Sequence, residues 1–227
     1  MTSRDAIMQR IRTGLGNAAA AGSAGLPPPP VPEVWPPDHA SHGARSDPEV
    51  LAQRFAQELS AVHGETIRAA TMAEARRRLA ELLDTAGWTP LGVVDRPLAR
   101  EVTADLPPER LAWVPPDAEP RRIAELPAGL VTAECLLADT GTCAIDCPTA
   151  AERLMCYLPP ACVVVARRES IFEHLPAAWG GLSGRCAAAE ARGELVLVTG
   201  PSRTSDIEKI LILGVHGPMR LVVLVVG

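Results

Sequence analysis

The residues best suited to chemistry cluster in one stretch, 194–217, which reads ELVLVTGPSRTSDIEKILILGVHG. An apolar run, predicted as a buried strand, feeds Gly200-Pro201-Ser202-Arg203-Thr204-Ser205, and a helix is expected over Ser205–Leu213. Gly200 permits backbone angles closed to other residues. Ser205 and Glu208 have the S-x-x-E spacing of a capping box. A helix start offers unpaired N–H groups and partial positive charge, which favour an anion. Arg203 adds a forked donor for a carboxylate or phosphate. Gly200, Ser202, Arg203, Thr204 and Ser205 thus have the chemistry of an anion cradle. At the end of a strand in an open α/β sheet, such a loop is expected on the carboxyl side, where ligands bind. The same residues also serve as ordinary helix caps, and Asp206 and Glu208 suit the helix dipole without any ligand.

A second polar group lies upstream. Asp139-Thr140-Gly141-Thr142 separates two apolar segments. Thr140, Gly141 and Thr142 can present hydroxyls and N–H groups to a ligand, or form a plain strand-joining bend with Gly141 at positive φ. His216, in Gly214-Val215-His216-Gly217-Pro218, can act as an acid–base group or cap a helix end. Ser202 is not in G-x-S-x-G, and neither a phosphate-binding P-loop nor G-x-G-x-x-G is present. If the chain is an enzyme in its own right, its catalytic carboxylate has to come from residues such as Glu134, Asp139, Asp206 and Glu208.

The elements that must position these residues alternate in type. Ser46 and Glu49 form a box ahead of a helix to about Val62, and Thr71 and Glu74 form another ahead of a helix ending near Gly87. Strands are expected at 65–70, 90–94, 111–115, 129–138, 142–147, 161–166, 194–200 and 221–226, with a helix over 169–179. Continuous apolar runs such as ACVVVA and LVVLVV suit strands buried on both faces. The alternation predicts an α/β fold with a mainly parallel sheet and flanking helices.

The 227 residues divide by composition into an N-terminal helix over 1–16, a Pro-rich linker over 17–45 and one domain over 46–227. Proline fixes φ and lacks a donor, so the Pro27–Pro30 run and its neighbours suit neither helix nor central strand. The net charge is −5, with Lys209 the only lysine, which gives no electrostatic footprint for nucleic acid. No apolar run is long enough for a membrane span, and the first 16 residues lack the apolar core of a signal peptide. The expectation is a cytoplasmic chain. The six cysteines (135, 143, 147, 156, 162 and 186) contain no C-x-x-C, and only Cys143 and Cys147 are closely spaced. Buried thiols fit better than a disulfide frame or a metal set, so no cofactor is expected in this chain.

Taken together, LLADTGTCAID, YLPPACVVVA and LVTGPSRTSDIEKILILGVHGPMRLVVLVV resemble the LUD domain family, in particular its lactate-utilisation protein C type. The likeness is strong over about 129–227, holds only by pattern over 46–128, and extends to the N-terminal helix. It implies a fold similar to the NagB/RpiA/CoA-transferase class. It also implies a part in oxidising lactate to pyruvate beside iron–sulfur partners of the A and B types. The related B-type protein joins this domain to a ferredoxin-like cluster module, which this chain does not show. No catalytic residue carries over. The sequence therefore supports a non-redox subunit that binds partners and lactate or pyruvate. The alternative is a stand-alone enzyme or sensor for a small carboxylate, phosphorylated or CoA-linked metabolite. Deleting residues 1–45 should leave a cooperative melt, because the proline tract separates them from the domain; loss of that melt would place the N-terminal helix in the core.

Overall fold

A computed structural model of the chain describes residues 7–10, 13, 47–186, 194–205, 211–213 and 216–227. Clustering of the backbone divides the chain into Met1–Ser41 and His42–Gly227. In the first unit residues 7–10 and 13 are helical; the rest of the helix expected over 1–16 lies outside the described residues, as does the expected linker over 17–45. In the second, the elements run α1 (Pro48–Ala61), β1 (Glu65–Ala69), α2 (Met72–Ala86), β2 (Leu91–Val94), α3 (Pro97–Thr103), β3 (Leu111–Val114), α4 (Pro120–Ala124), β4 (Ala128–Thr132) and β5 (Cys135–Leu137). They continue with β6 (Thr142–Cys147), α5 (Ala150–Met155), β7 (Ala161–Arg167), β8 (Ile171–Phe172), α6 (Leu175–Cys186), β9 (Glu194–Val198), β10 (Arg203–Ser205), β11 (Leu211–Leu213) and β12 (Arg220–Val226).

Six strands form one parallel sheet in the order β1-β12-β7-β4-β2-β3, which bears out the α/β reading. Two of its inner strands, β7 and β12, are the continuous apolar runs, buried on both faces. On one face, Ala69, Val93, Val163, Val165, Leu224 and Val226 pack with Leu79 and Leu83 of α2 and Val102 of α3. On the other, Val164, Val223 and Val225 meet Phe55 and Leu59 of α1, Met155 of α5, and Leu136, Cys143 and Ile145 of a second sheet. That sheet has the order β8-β5-β6-β9, and its outer face packs Cys135, Leu137 and Ala144 against Ala178 and Leu182 of α6.

The helix signals are confirmed in part. Thr71 caps α2 by accepting the Glu74 N–H at 3.2 Å, and Gly87 closes it at φ +67°. In α1 the cap is Asp47, one residue later than expected, with its carboxylate accepting the Glu49 N–H at 2.8 Å. Pro48 fixes this, because its locked φ favours the first helical position. The expected helix over 169–179 starts only at Leu175, since Ile171 and Phe172 pair with Leu136 and Leu137.

Three strand and helix expectations need correction. The run 129–138 is two strands in different sheets. The switch falls where Ala133 N–H donates to Val165 of one sheet and Glu134 N–H to Ala144 of the other. The run 194–200 is not a buried parallel strand. Residues 194–198, as β9, form an antiparallel edge on β6, and Leu197 is 47% exposed. The helix expected over 205–213 is absent at both described ends: Arg203–Ser205 and Leu211–Leu213 pair as antiparallel β10 and β11. Cap spacing is a local preference worth about 1 kcal/mol, which strand pairing and β-branched residues such as Ile212 outweigh.

Cys135, Cys143, Cys147, Cys156 and Cys162 are buried free thiols, as expected. Burial pushes Cys135 up to about 11 and Cys162 up to about 12. Cys156 is raised by its hydrogen bond with Cys147 and by burial. A thiol raised in the folded state adds stability below its unfolded value of about 8.5 and loses it as pH climbs toward the folded value. Stability should therefore decline from about pH 8.5 upward. At pH 8 these five cysteines should resist iodoacetamide until denaturant is added; prompt alkylation of the native chain, read by peptide mass spectrometry, would contradict this packing.

Candidate functional site

The turn between β5 and β6 and the loop after β9 meet at the end of α1. Gly141 sits at φ +64°, and a Cβ there would lie 2.4 Å from the Leu59 backbone nitrogen. Gly200 sits at φ +83°, and its Cβ would lie 2.8 Å from the Val62 carbonyl oxygen. Both turns can press on α1 only because these positions are glycine. The pairing of Cys143 with Val198 then brings the next residues outward, Thr142 and Thr199, side by side.

The result is a file of hydroxyls. Thr140 donates to the Asp139 carboxylate at 3.2 Å. Thr140 and Thr142 lie 2.8 Å apart, and Thr142 and Thr199 lie 2.7 Å apart, oxygen to oxygen. Thr142 is only 5% exposed, so its hydroxyl positions its neighbours. Thr140 and Thr199 are exposed. Ser202 is held by its N–H donating to Pro218 at 2.8 Å, and a Cβ on Gly217 would lie 3.1 Å from the Ser202 Cβ. His216 and Arg203 are both exposed beside these contacts.

The two predicted groups are therefore joined. Thr140 and Thr142 meet Thr199, Gly141 and Gly200 both abut the end of α1, and Ser202 ties the chain after them to the segment of His216. Thr204 and Ser205 instead extend β10, paired with Ile212 and Leu211. Among the described residues, Arg203 is the arginine of this loop. The site also lies at the amino side of the parallel sheet, since Met219 N–H donates to Pro160 just ahead of β12 and β7. The expectation of a carboxyl-side loop fails because β9 belongs to the second sheet. Thr199 is the residue the sequence reading missed. Its place after an alternating strand that faces Thr142 is visible only once the β6–β9 register is known.

The carboxyl side has its own features. A cleft of about 280 Å³ is lined by Arg68, Ala69, Ala70, Glu74, Arg168, Val225 and Gly227. Its charges are largely matched already. Arg68 binds Glu49 at 2.5 Å and holds that carboxyl below its usual range, and the Ala70 N–H does the same for Glu74. Between the ends of β2 and β4, Arg96 and Glu152 close a crevice with a 2.6 Å ion pair. Among the described residues, no group of three or more His, Cys, Asp or Glu is placed to hold a metal.

Comparison with known proteins decides the family. The LUD domain profile matches residues 52–226. The chain belongs to the LUD domain family. Lactate utilization protein C of Bacillus pumilus is 31% identical over 107 residues, covering 46% of this chain and 45% of that one. The protein of the same name from Deinococcus radiodurans is 34% identical over 115 residues, covering 49% and 53%. The matched stretch thus spans about half the length of these relatives. The crystal structure of a DUF162 family protein from Deinococcus radiodurans superposes with a TM-score of 0.52 at 18% identity, over 80% of this chain and 99% of that chain. That likeness shows the fold. No helix among the described residues is long and apolar enough to cross a membrane.

The two left-handed glycines of this LUD domain should differ measurably from a third. Gly87 has φ +67° with nothing within 4 Å of a new Cβ, so Gly87→Ala should cost about 1 kcal/mol of strain alone. Gly141→Ala adds a backbone clash, for a total of about 2–4 kcal/mol. Equal losses in paired denaturant melts would show that the turn does not press on α1.

Proposed function

We propose that this LUD domain chain serves lactate utilisation in the cytoplasm. Its role is that of a non-redox subunit of an assembly oxidising lactate to pyruvate, with the iron–sulfur clusters on A- and B-type partners. The family match over 52–226, joined to relatives named lactate utilization protein C, carries the reading. The five buried thiols support it, since cysteines packed in the core are poorly placed to hold a cluster. In this reading the turns at the end of α1 hold the small acid. Arg203 takes its carboxylate, while Thr140, Ser202 and His216 line the space around its one remaining oxygen. Thr142 and the two glycines set the spacing. The second reading, a stand-alone enzyme or sensor for a small carboxylate, phosphorylated or CoA-linked metabolite, draws on the 280 Å³ cleft at the carboxyl side.

The test is recovery of the tagged chain from its own cells grown on lactate. Iron–sulfur proteins should copurify, and the eluate should reduce a dye when lactate is added. A chain recovered alone, in an inactive eluate, would overturn the subunit role and turn attention to the second reading.

A further inference from the structure

The hydroxyl file has a fixed direction. A carboxylate accepts hydrogen bonds and has no proton to give, and each threonine hydroxyl has one proton. Thr140 donates to the Asp139 carboxylate at 3.2 Å. Three contacts and three protons are all satisfied in one order alone, in which Thr142 donates to Thr140 across 2.8 Å and Thr199 donates to Thr142 across 2.7 Å. With Thr142 only 5% exposed, the middle of the file is shielded from water that could supply another proton. Thr199 is exposed, and what its oxygen turns toward a ligand is lone pairs alone.

We infer that Thr199 is an acceptor-only contact that selects the hydroxyl of a small 2-hydroxy acid over the carbonyl of the matching 2-keto acid. The inference rests on the reading that these turns hold a small acid. A hydroxy acid donates to Thr199, whereas a keto oxygen meets lone pairs and gives up its bond to water. Both acids carry the same charge, so Arg203 attracts them alike and the difference reads the hydroxyl. Asp139 is a positioning residue that acts through the file. In Asp139→Asn the end group can also donate, Thr140 can accept from it, and the whole file can reverse. Thr199 then turns a proton outward, which suits a keto oxygen.

The test is calorimetry of the full chain with D- and L-lactate, glycolate, pyruvate and glyoxylate. The unaltered chain should bind at least one hydroxy acid about five- to tenfold more tightly than its keto partner, as one well-made hydrogen bond allows. Thr199→Val should bring that ratio near one, and Thr199→Ser should keep it. Asp139→Asn should shrink or invert the ratio, and it carries the test if Thr199→Val fails to fold. Equal affinities in the unaltered chain, or a ratio that survives both Thr199→Val and Asp139→Asn, would overturn the inference. Absence of binding by every acid would overturn it too, while lactate-dependent activity in the copurified assembly would leave the subunit role standing.

Discussion

The close approach of two glycine turns to the last turn of α1 is the constraint on which the candidate site depends. Leu59 is fully buried between the sheets, and its carbonyl accepts the N–H groups of Val62 and Gly64 at 3.2 and 2.9 Å. The chain then leaves the helix through His63 at φ +67°, a conformation uncommon for residues other than glycine. This rigid end is the wall that meets Gly141 and Gly200. Because neither carries a Cβ, Thr140, Thr142 and Thr199 come within hydrogen-bond distance, and what is a packing requirement at the glycines becomes an ordered polar file at the threonines. One set of contacts thus links core burial to surface chemistry.

The layers explain why this wall is stable. The parallel sheet is covered on one face by α2 and α3 and on the other by α1, α5 and the second sheet. The second sheet is anchored to the first where the chain crosses from Ala133 to Glu134, so the β5–β6 turn inherits the position of β4 and β7. The first and last strands of the domain, β1 and β12, are neighbours, and Arg220 forks onto Glu65 at 2.6 and 2.9 Å while lying 4.9 Å from the Trp88 ring. That pair lowers the Glu65 carboxyl below its usual range, mainly through the hydrogen bond from Arg220. It contributes above the ordinary carboxylate range and is lost as pH falls through the folded value.

Much of this architecture was legible in the residues. The cores of β7 and β12 are uninterrupted apolar runs, and the Thr71 cap with Gly87 bounds α2 within a residue. The T-x-x-E of Thr149 and Glu152 has the same logic and starts α5, yet it is short enough to escape notice. Sheet membership was not legible. ELVLV and ACVVVA look alike as strings, but one is a half-exposed edge and the other a central strand, because pairing partners far along the chain decide burial. For the same reason a capping box at Ser205 and Glu208 suggested a helix where β10 and β11 pair. The site residues were named from local chemistry and several do converge. Their side of the sheet is not legible, because nothing local tells that β9 joins the second sheet, and Thr199 emerges only from the register between β6 and β9.

The most direct measurement of where this LUD domain binds a small acid is a titration of the ¹⁵N-labelled full chain with lactate, followed by amide chemical shifts. The account predicts the largest shifts at residues 139–142, 199–203 and 216–217. Shifts centred instead on Arg68–Glu74, Arg168 and Val225–Gly227 would move the site to the carboxyl-side cleft and contradict it, as would a spectrum unchanged at saturating lactate.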